Sequence, residues 1–388
     1  MLRRSSCRRR LAQADQTDFV TAHTDCDPMR PIITILVTFL SISAASSMPG
    51  AEPFPGDNSV LVSSFETESR YWIVSSRSCP QEIHRIGCCE LRVWSADSIS
   101  CATGTCQPSG QTSATLHPRA PGDLRNALIP GIPVCVLVHG SYVSWDDVLD
   151  EGENTWRWLR SAAPERTLQF ITYTWPSDPL TYLPNIDANV LGKRSGINGF
   201  YLTRLMQMIP PECPVCLIGH SHGTRVISSM LHLLRGGIVE GYCLPAGSDG
   251  GHRIRAVFAA SAIDHDWLNP GNRYGNAISR LEGLMNLRNR RDWVLGFYPL
   301  RTIGASRALG RAGWTSRDYH RLGMQSYQLQ ELDVTCLIGK PHIWPAYYET
   351  PALAATIAPY IHFADEPVSL SSSPDALLDS RAELATAR

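Results

Sequence analysis

Short apolar runs alternate with amphipathic stretches along most of the chain. The runs with the length of a buried strand are residues 134–138, 168–173, 215–218, 254–259, 284–287 and 334–338. An apolar run of this kind, without polar alternation, is typical of a strand that is covered on both faces. Apolar residues at helical spacing lie between the runs, at residues 156–163, 199–208 and 224–234. The alternation predicts an α/β protein with a mostly parallel central sheet and helices on both faces.

The segments around this core are predicted from weaker patterns. Residues 71–76 and 90–94 have the composition of two early strands, and residues 101–120 are rich in Ser, Thr, Gly and Pro, which indicates a loop. Residues 124–129 fit a short helical turn before a proline. We expect one domain over residues 56–368, with insertions near 176–197 and 297–332, and a flexible tail over 369–388.

The first 55 residues differ from the rest and are predicted to lie outside the fold. Arginines among residues 3–10 precede an apolar run at 32–42, and small residues follow at 43–47. This order is typical of a secretory leader, here around residues 29–47, and it predicts export to the periplasm or the medium. The apolar run is shorter than the roughly 20 residues of a membrane-spanning helix, so no stable span is predicted. A cytoplasmic protein with a mis-assigned start is the alternative.

Charge and cysteine content narrow the function classes. The net charge of −1 and the scattered arginines give no basis for nucleic-acid binding. Of the 12 cysteines, several fall in one N-terminal stretch, where disulfides and free thiols are equally open: Cys79, Cys88, Cys89, Cys101 and Cys106. Cys213 and Cys216 have the spacing of a redox or metal pair, but no second pair follows, so no metal site is predicted.

A pentapeptide at the end of one predicted strand is the strongest chemical signal. Gly219-His220-Ser221-His222-Gly223 lies between the apolar run 215–218 and the helical stretch 224–234. In a G-x-S-x-G turn between strand and helix, the glycines permit a strained backbone that exposes the serine hydroxyl. Ser221 is therefore the candidate nucleophile.

A serine nucleophile needs a histidine base and an acid, which should follow it in the order acid, then histidine. His342 lies four residues beyond the last apolar run, where a base is expected, and His320 and His362 are in weaker positions. Two aspartates follow successive strands. An acid normally projects from the strand beside the histidine, which favours Asp292, and Asp264 remains the alternative, with helix N-capping as its non-catalytic interpretation.

The oxyanion of the reaction needs two N–H donors. One is expected from His222, the residue after the nucleophile. The other is expected from Ser141, because His139-Gly140-Ser141 follows the strand at 134–138 and the glycine permits a sharp turn there.

Together, His139-Gly140, the Gly219–Gly223 turn, Asp292 and His342 resemble the α/β-hydrolase superfamily. The segments 170–176, 260–266 and 289–293 are similar to those of a group of bacterial α/β-hydrolase-fold proteins of unassigned substrate, and the resemblance spans about residues 72–363. In that group the acid ends an Asn-x-x-Asp sequence, which further favours Asp292. The resemblance implies an α/β-hydrolase fold and esterase-like chemistry with no metal and no organic cofactor.

The leading hypothesis is a serine esterase that cleaves a small-molecule or lipid-like carboxylic ester. A thioesterase, amidase or acyltransferase would use the same residues. From another class, a binding module without turnover is possible, because fold does not imply function.

Overall fold

The computed structural model describes residues 70–82, 85–86, 89–96, 115–179, 181, 184–245, 247–302 and 304–364. The predicted leader and tail lie outside these residues, as do Cys88, Cys101 and Cys106. Expected export therefore stays a prediction. No helix in the described ranges is long and apolar enough to span a membrane.

The described chain forms a nine-stranded sheet in the order β3-β2-β1-β5-β4-β6-β7-β8-β9. The strands are β1 (Arg70–Ser75), β2 (Arg92–Ala96), β3 (Leu116–Arg119), β4 (Val134–Val138), β5 (Gln169–Thr174), β6 (Val215–His220), β7 (Ile254–Ala259), β8 (Gly283–Arg288) and β9 (Leu329–Asp333). The seven strands β1-β5-β4-β6-β7-β8-β9, in this spatial order, are all parallel to their neighbours. Strand β2 pairs antiparallel with both β1 and β3. The prediction of an α/β protein with a mostly parallel sheet is confirmed.

Helices cover both faces of this sheet. They are α1 (Pro121–Ala127), α2 (Trp145–Ala162), α3 (Pro184–Met208), α4 (His222–Leu234), α5 (Trp293–Phe297), α6 (Leu309–Ala312), α7 (Ser316–Leu322), α8 (Thr335–Ile338), α9 (Pro345–Tyr348) and α10 (Pro351–Ile361), with 3-10 turns at Ile278–Arg280, Tyr298–Arg301 and Gly323–Gln328. Alternate residues of a strand face opposite sides of a sheet. Accordingly, Val134, Val136 and Val138 share a core with α3 and α4, and Cys135 and Leu137 share the other core with α2 and α10.

The predicted strand at 334–338 is wrong. The edge strand β9 comes earlier, and it is half-exposed and carries Gln330, Glu331 and Asp333, so its sequence lacks an apolar run. The apolar residues that follow form the single helical turn α8, which begins because the Asp333 carboxylate accepts a 3.0 Å hydrogen bond from the Thr335 N–H. Val334 is completely buried and donates its N–H to the Arg288 carbonyl. The apolar character of 334–338 thus reflects a buried turn.

Two other segments differ from their patterns. Within the predicted loop 101–120, Leu116–Arg119 form β3, in which Pro118 is tolerated because the strand lies at the sheet edge. Within the predicted first insertion, residues 184–197 are the N-terminal half of α3. Three glycines at 192, 196 and 199 weaken its helical pattern, and Gly199 lets it pack closely on Ser229 of α4.

Candidate active site

The predicted site residues meet at the carboxyl ends of the central strands. Strand β4 has β5 on one side and β6 on the other, so the chain connections diverge between β4 and β6. Ligands of open parallel sheets bind in the crevice that this divergence creates. Ser221 directly follows β6, and His139, Gly140 and Ser141 directly follow β4, so both segments border the crevice.

Ser221 has a backbone conformation that is rare for a residue with a side chain. Its φ of 51° and ψ of −122° lie where L-residues are disfavoured, at a cost of about 1–3 kcal/mol. Its N–H donates to the Ala259 carbonyl at 3.0 Å, and its carbonyl accepts from Thr224 at 3.1 Å and from Ala262 at 3.3 Å. The neighbouring strand and helix therefore hold the strained turn in place.

The two glycines of the turn are required by the closeness of other chain segments. A Cβ on Gly219 would lie 2.8 Å from Ile227 Cδ1 and 2.9 Å from the Thr224 nitrogen. On Gly223 it would lie 2.7 Å from the His139 carbonyl oxygen. Larger residues at either position would push α4 away from β4 and β6, so the spacing of the motif has a steric cause.

Three side chains from distant parts of the sequence form a continuous hydrogen-bonded chain. Ser221 Oγ lies 2.9 Å from His342 Nε2, and His342 Nδ1 lies 2.7 Å from Asp292 Oδ2. A carboxylate only accepts hydrogen bonds, so His342 donates from Nδ1 and its Nε2 is left to accept from the Ser221 hydroxyl. The Asp292 side chain is completely buried, and its Oδ1 accepts the Leu295 N–H at 2.9 Å as the N-cap of α5.

The alternative acid has other partners. Asp264 accepts from the Tyr298 hydroxyl at 3.0 Å and from the Ser306 N–H at 3.1 Å, and it forms an ion pair with Arg301. The structure therefore brings Asp292, and not Asp264, to His342. It also explains why Asp264 is buried although it is charged, since an arginine compensates it.

The loop that carries His342 is fixed by two interactions that the sequence did not indicate. His220 Nε2 donates to the His342 carbonyl at 2.7 Å, and Asn289 Nδ2 donates to the Gly339 carbonyl at 2.8 Å. Burial, with the nearby His342 as a second cause, lowers the pKa of His220 to about 3, so its ring is neutral. The motif Gly-His-Ser and the Asn-x-x-Asp sequence contain both residues, but nothing local in either motif reveals these contacts.

Ser141 and His222, the residues of the expected oxyanion donors, contact each other through their side chains. The His222 N–H opens α4, and the first N–H groups of a helix have no carbonyl partner within it. The Ser141 hydroxyl is hydrogen-bonded to His222 Nδ1 at 2.6 Å, and a Cβ on Gly140 would lie 3.0 Å from Ser221 Cβ. The loop after β4 thus packs directly against the Ser221 turn.

The His139 side chain and backbone hold the loop after β4 by hydrogen bonds. Its Nδ1 donates to the Gly140 carbonyl at 2.8 Å, its Nε2 accepts from Thr174 Oγ1 at 2.8 Å, and its carbonyl accepts from Trp175 Nε1 at 2.9 Å. Burial lowers the pKa of His139 to about 3. Because the ring is neutral and both of its nitrogens are hydrogen-bonded, His139 has a structural role in this loop.

Four of the cysteines singled out in the sequence lie in the described part of the chain. Cys79 and Cys89 form a disulfide whose Cα atoms are 5.5 Å apart. Cys213 and Cys216 are free and buried at the start of β6, opposite the Ser221 end, and burial raises the pKa of Cys216 to about 12. Within the described ranges, no group of His, Cys, Asp and Glu side chains has the arrangement of a metal site.

Comparisons with known proteins add little to this geometry. No protein-family model matches the chain, and no curated protein matches it significantly. Among solved structures, the catalytic core domain of acetyl xylan esterase from Trichoderma reesei is similar with a TM-score of 0.29 and 12% sequence identity, over 58% of this chain and 98% of that chain. Neither the family nor the function of this chain follows from a likeness at this level.

Proposed function

We propose that the protein is a serine hydrolase that cleaves a carboxylic ester through an acyl-enzyme intermediate. The observation that carries the proposal is the hydrogen-bonded chain Ser221–His342–Asp292, whose first member sits on a strained turn at the carboxyl end of β6. Nucleophile, base and orienting acid within hydrogen-bond reach of one another are the geometric signature of nucleophilic catalysis.

The residues act in the following order. His342 Nε2 takes the proton from Ser221 Oγ as the oxygen attacks the ester carbonyl, and the N–H groups of His222 and Ser141 stabilise the oxyanion. His342 then gives this proton to the departing alcohol oxygen, which leaves an acyl group on Ser221. Water attacks the acyl-enzyme, with His342 again as base, and the acid product is released together with the restored serine hydroxyl.

The environment of Asp292 suits its assigned role. The carboxylate is excluded from water and bonded to one backbone N–H and to His342. Its negative charge favours the imidazolium that forms after proton transfer, and its fixed orientation keeps Nε2 directed at Ser221.

Labelling with a fluorophosphonate tests the proposal, because this reagent reacts only with an activated serine. We expect the wild type to be labelled, and Ser221→Ala and His342→Ala to remain unlabelled while folded. A folded wild type without labelling would contradict the proposal and favour a binding module without turnover. Thioester and amide hydrolysis use the same residues, so matched ester, thioester and amide substrates of one acyl group then rank the three activities.

A further inference from the structure

In the described part of the chain, a buried arginine one helical turn after the nucleophile has no anionic partner. The Arg225 side chain is only 7% exposed, and its Nε is completely buried without a hydrogen-bond acceptor. Within the described part of the chain, Arg225 takes part in no ion pair, and Nε is the guanidinium nitrogen that is buried without an acceptor. Charged side chains are almost never buried to this degree unless they are paired, so this one lacks a counter-ion.

The contact that Arg225 does make leaves its hydrogen-bonding groups unused. Its guanidinium carbon lies 4.8 Å from the centre of the Trp267 ring. A cation–π contact attracts the charge, but it supplies no oxygen to the N–H groups. The five donors of a guanidinium match a carboxylate or another oxyanion, so the missing partner has this chemistry.

The fold places this free charge close to Ser221. Four residues along a helix correspond to a rise of about 6 Å, and helical side chains tilt toward the N-terminus, which in α4 is the Ser221 end. Helix α3 leaves space for the guanidinium, because a Cβ on Gly192 would lie 2.6 Å from Arg225 Nη1. Burial lowers the pKa of His222 to about 3, and Arg225, His342 and Arg301 are the next causes, so all three groups are within electrostatic range of the His222 ring.

Asp264, the buried carboxylate beyond the end of β7, is not available to neutralise Arg225. Asp264 is occupied by Arg301, Tyr298 and the Ser306 N–H. The N-terminus of α4 adds a partial positive charge to the same region. Arg225 and the N-terminus of α4 therefore both favour an anion in this region.

We propose that Arg225 binds a negatively charged oxyanion group of the substrate, so that the preferred ester carries a carboxylate elsewhere in the molecule. This inference rests on the proposed esterase function for its catalytic part. The binding part concerns Arg225 alone and is tested without turnover.

Two matched substrate pairs test the preference. In the first pair, the mono-para-nitrophenyl ester of adipic acid carries a carboxylate on the acyl half, and para-nitrophenyl hexanoate is its neutral counterpart. In the second pair, para-acetoxybenzoate carries the carboxylate on the alcohol half, and para-acetoxybenzamide is its neutral counterpart. We expect the wild type to show higher kcat/KM for the charged member of at least one pair, and Arg225→Gln to lower that ratio by about tenfold or more. Arg225→Lys should keep part of the ratio, because it retains the charge but not the planar fork.

Arg273→Gln is the matched control. Arg273 also contacts the Trp267 ring, at 4.8 Å, but it is more exposed and is paired with Glu240 at 3.1 Å. The control removes one positive charge and one ring contact and should leave the ratio unchanged. Equal ratios for the charged and neutral members of both pairs in the wild type would overturn the inference, as would a preference that survives in folded Arg225→Gln.

Calorimetric titration with adipate at low ionic strength separates the two proposals. Adipate should bind Ser221→Ala and should bind Ser221→Ala/Arg225→Gln at least about tenfold more weakly. Adipate binding through Arg225 in a protein that fluorophosphonate does not label would refute the esterase function and retain the anion site. A labelled wild type with neither adipate binding nor charge preference would refute the anion site and retain the esterase function.

Discussion

Replacing Asp292 by asparagine tests the assignment of the acid. The asparagine oxygen can still accept the Leu295 N–H, which Asp292 Oδ1 now accepts at 2.9 Å. Its amide NH₂ then replaces Oδ2, which lies 2.7 Å from His342 Nδ1. An NH₂ group only donates, so the imidazole proton must move to Nε2, and Nε2 can no longer accept the Ser221 proton.

The expected loss is large because the wrong tautomer removes the base. In a Ser-His-Asp site the same substitution lowers kcat by about 10⁴-fold, which corresponds to about 5.5 kcal/mol of transition-state free energy. The fold should change little, since asparagine is as good an N-cap as aspartate. Asp292→Asn is therefore expected to be folded and nearly inactive.

The matched substitution at the other aspartate should have the opposite effect. Asp264→Asn leaves Arg301 buried without its carboxylate, and the side chains of Arg301 and Asp264 are only 12% and 8% exposed. Breaking such a pair costs about 3 kcal/mol of unfolding free energy. Hydrolysis of a neutral ester per folded molecule should be retained, because Asp264 makes no contact with His342 among its hydrogen bonds and ion pairs in the described structure.

Both quantities are measured on the same preparations. Hydrolysis of a neutral para-nitrophenyl ester and the rate of fluorophosphonate labelling give the activity, and urea unfolding gives the stability. The assignment is refuted if folded Asp292→Asn keeps a tenth or more of the wild-type kcat, or if Asp264→Asn loses more kcat than Asp292→Asn does.

Three further predictions concern stability. Burial lowers the pKa of His139, His220 and His222 to about 3 in the folded protein, whereas an unfolded histidine has a pKa near 6.5. Between these two values the unfolded chain binds more protons than the folded protein does. The free energy of unfolding therefore falls as the pH drops through this window. Urea unfolding at pH 7 and pH 5 should show a lower free energy at pH 5, by up to about 1.4 kcal/mol per pH unit for each histidine, and equal values would contradict it. Reduction of the Cys79–Cys89 disulfide, with a sequence separation of 10, should lower the unfolding free energy by about 2–3 kcal/mol, and the Cys79→Ser/Cys89→Ser variant should respond less to reductant by this amount. Ser221→Gly should abolish labelling and raise the unfolding free energy by about 1 kcal/mol, because strain relief exceeds the entropy cost of glycine, and a less stable variant would argue against strain at this turn.

Those parts of the fold that depend on local patterns were predictable from the sequence. The buried runs at 134–138 and 254–259 coincide with β4 and β7, because strands covered on both faces are continuously apolar. The turn at Ser221 was predictable because the two glycines flank the serine at a fixed spacing, and Gly219 is required by the adjacent residues Thr224 and Ile227. The edge strand β9 was missed because one side of an edge strand faces solvent and its sequence is largely polar.

The choice between the two aspartates depended on contacts that are distant in sequence. Asp264 and Asp292 both follow neighbouring strands, β7 and β8, and either satisfies the required order. Two contacts distinguish them. Arg301, from the predicted second insertion, forms an ion pair with Asp264. Asn289 donates a hydrogen bond to the Gly339 carbonyl, which holds the His342 loop over β8. No pattern along the chain encodes either contact. Position and resemblance could therefore only favour Asp292.

Two destabilising features lie at the N-terminal end of α4. Ser221 has a left-handed backbone, and Arg225 is a buried charge without a partner. Each costs free energy in the folded state. Costs that persist in a folded protein are concentrated where function requires them, since selection tolerates instability at a working site. The strain exposes a hydroxyl beside His342, and the unpaired guanidinium provides a place for an anion next to it, so both costs have one explanation if the turn binds and cleaves a charged ester.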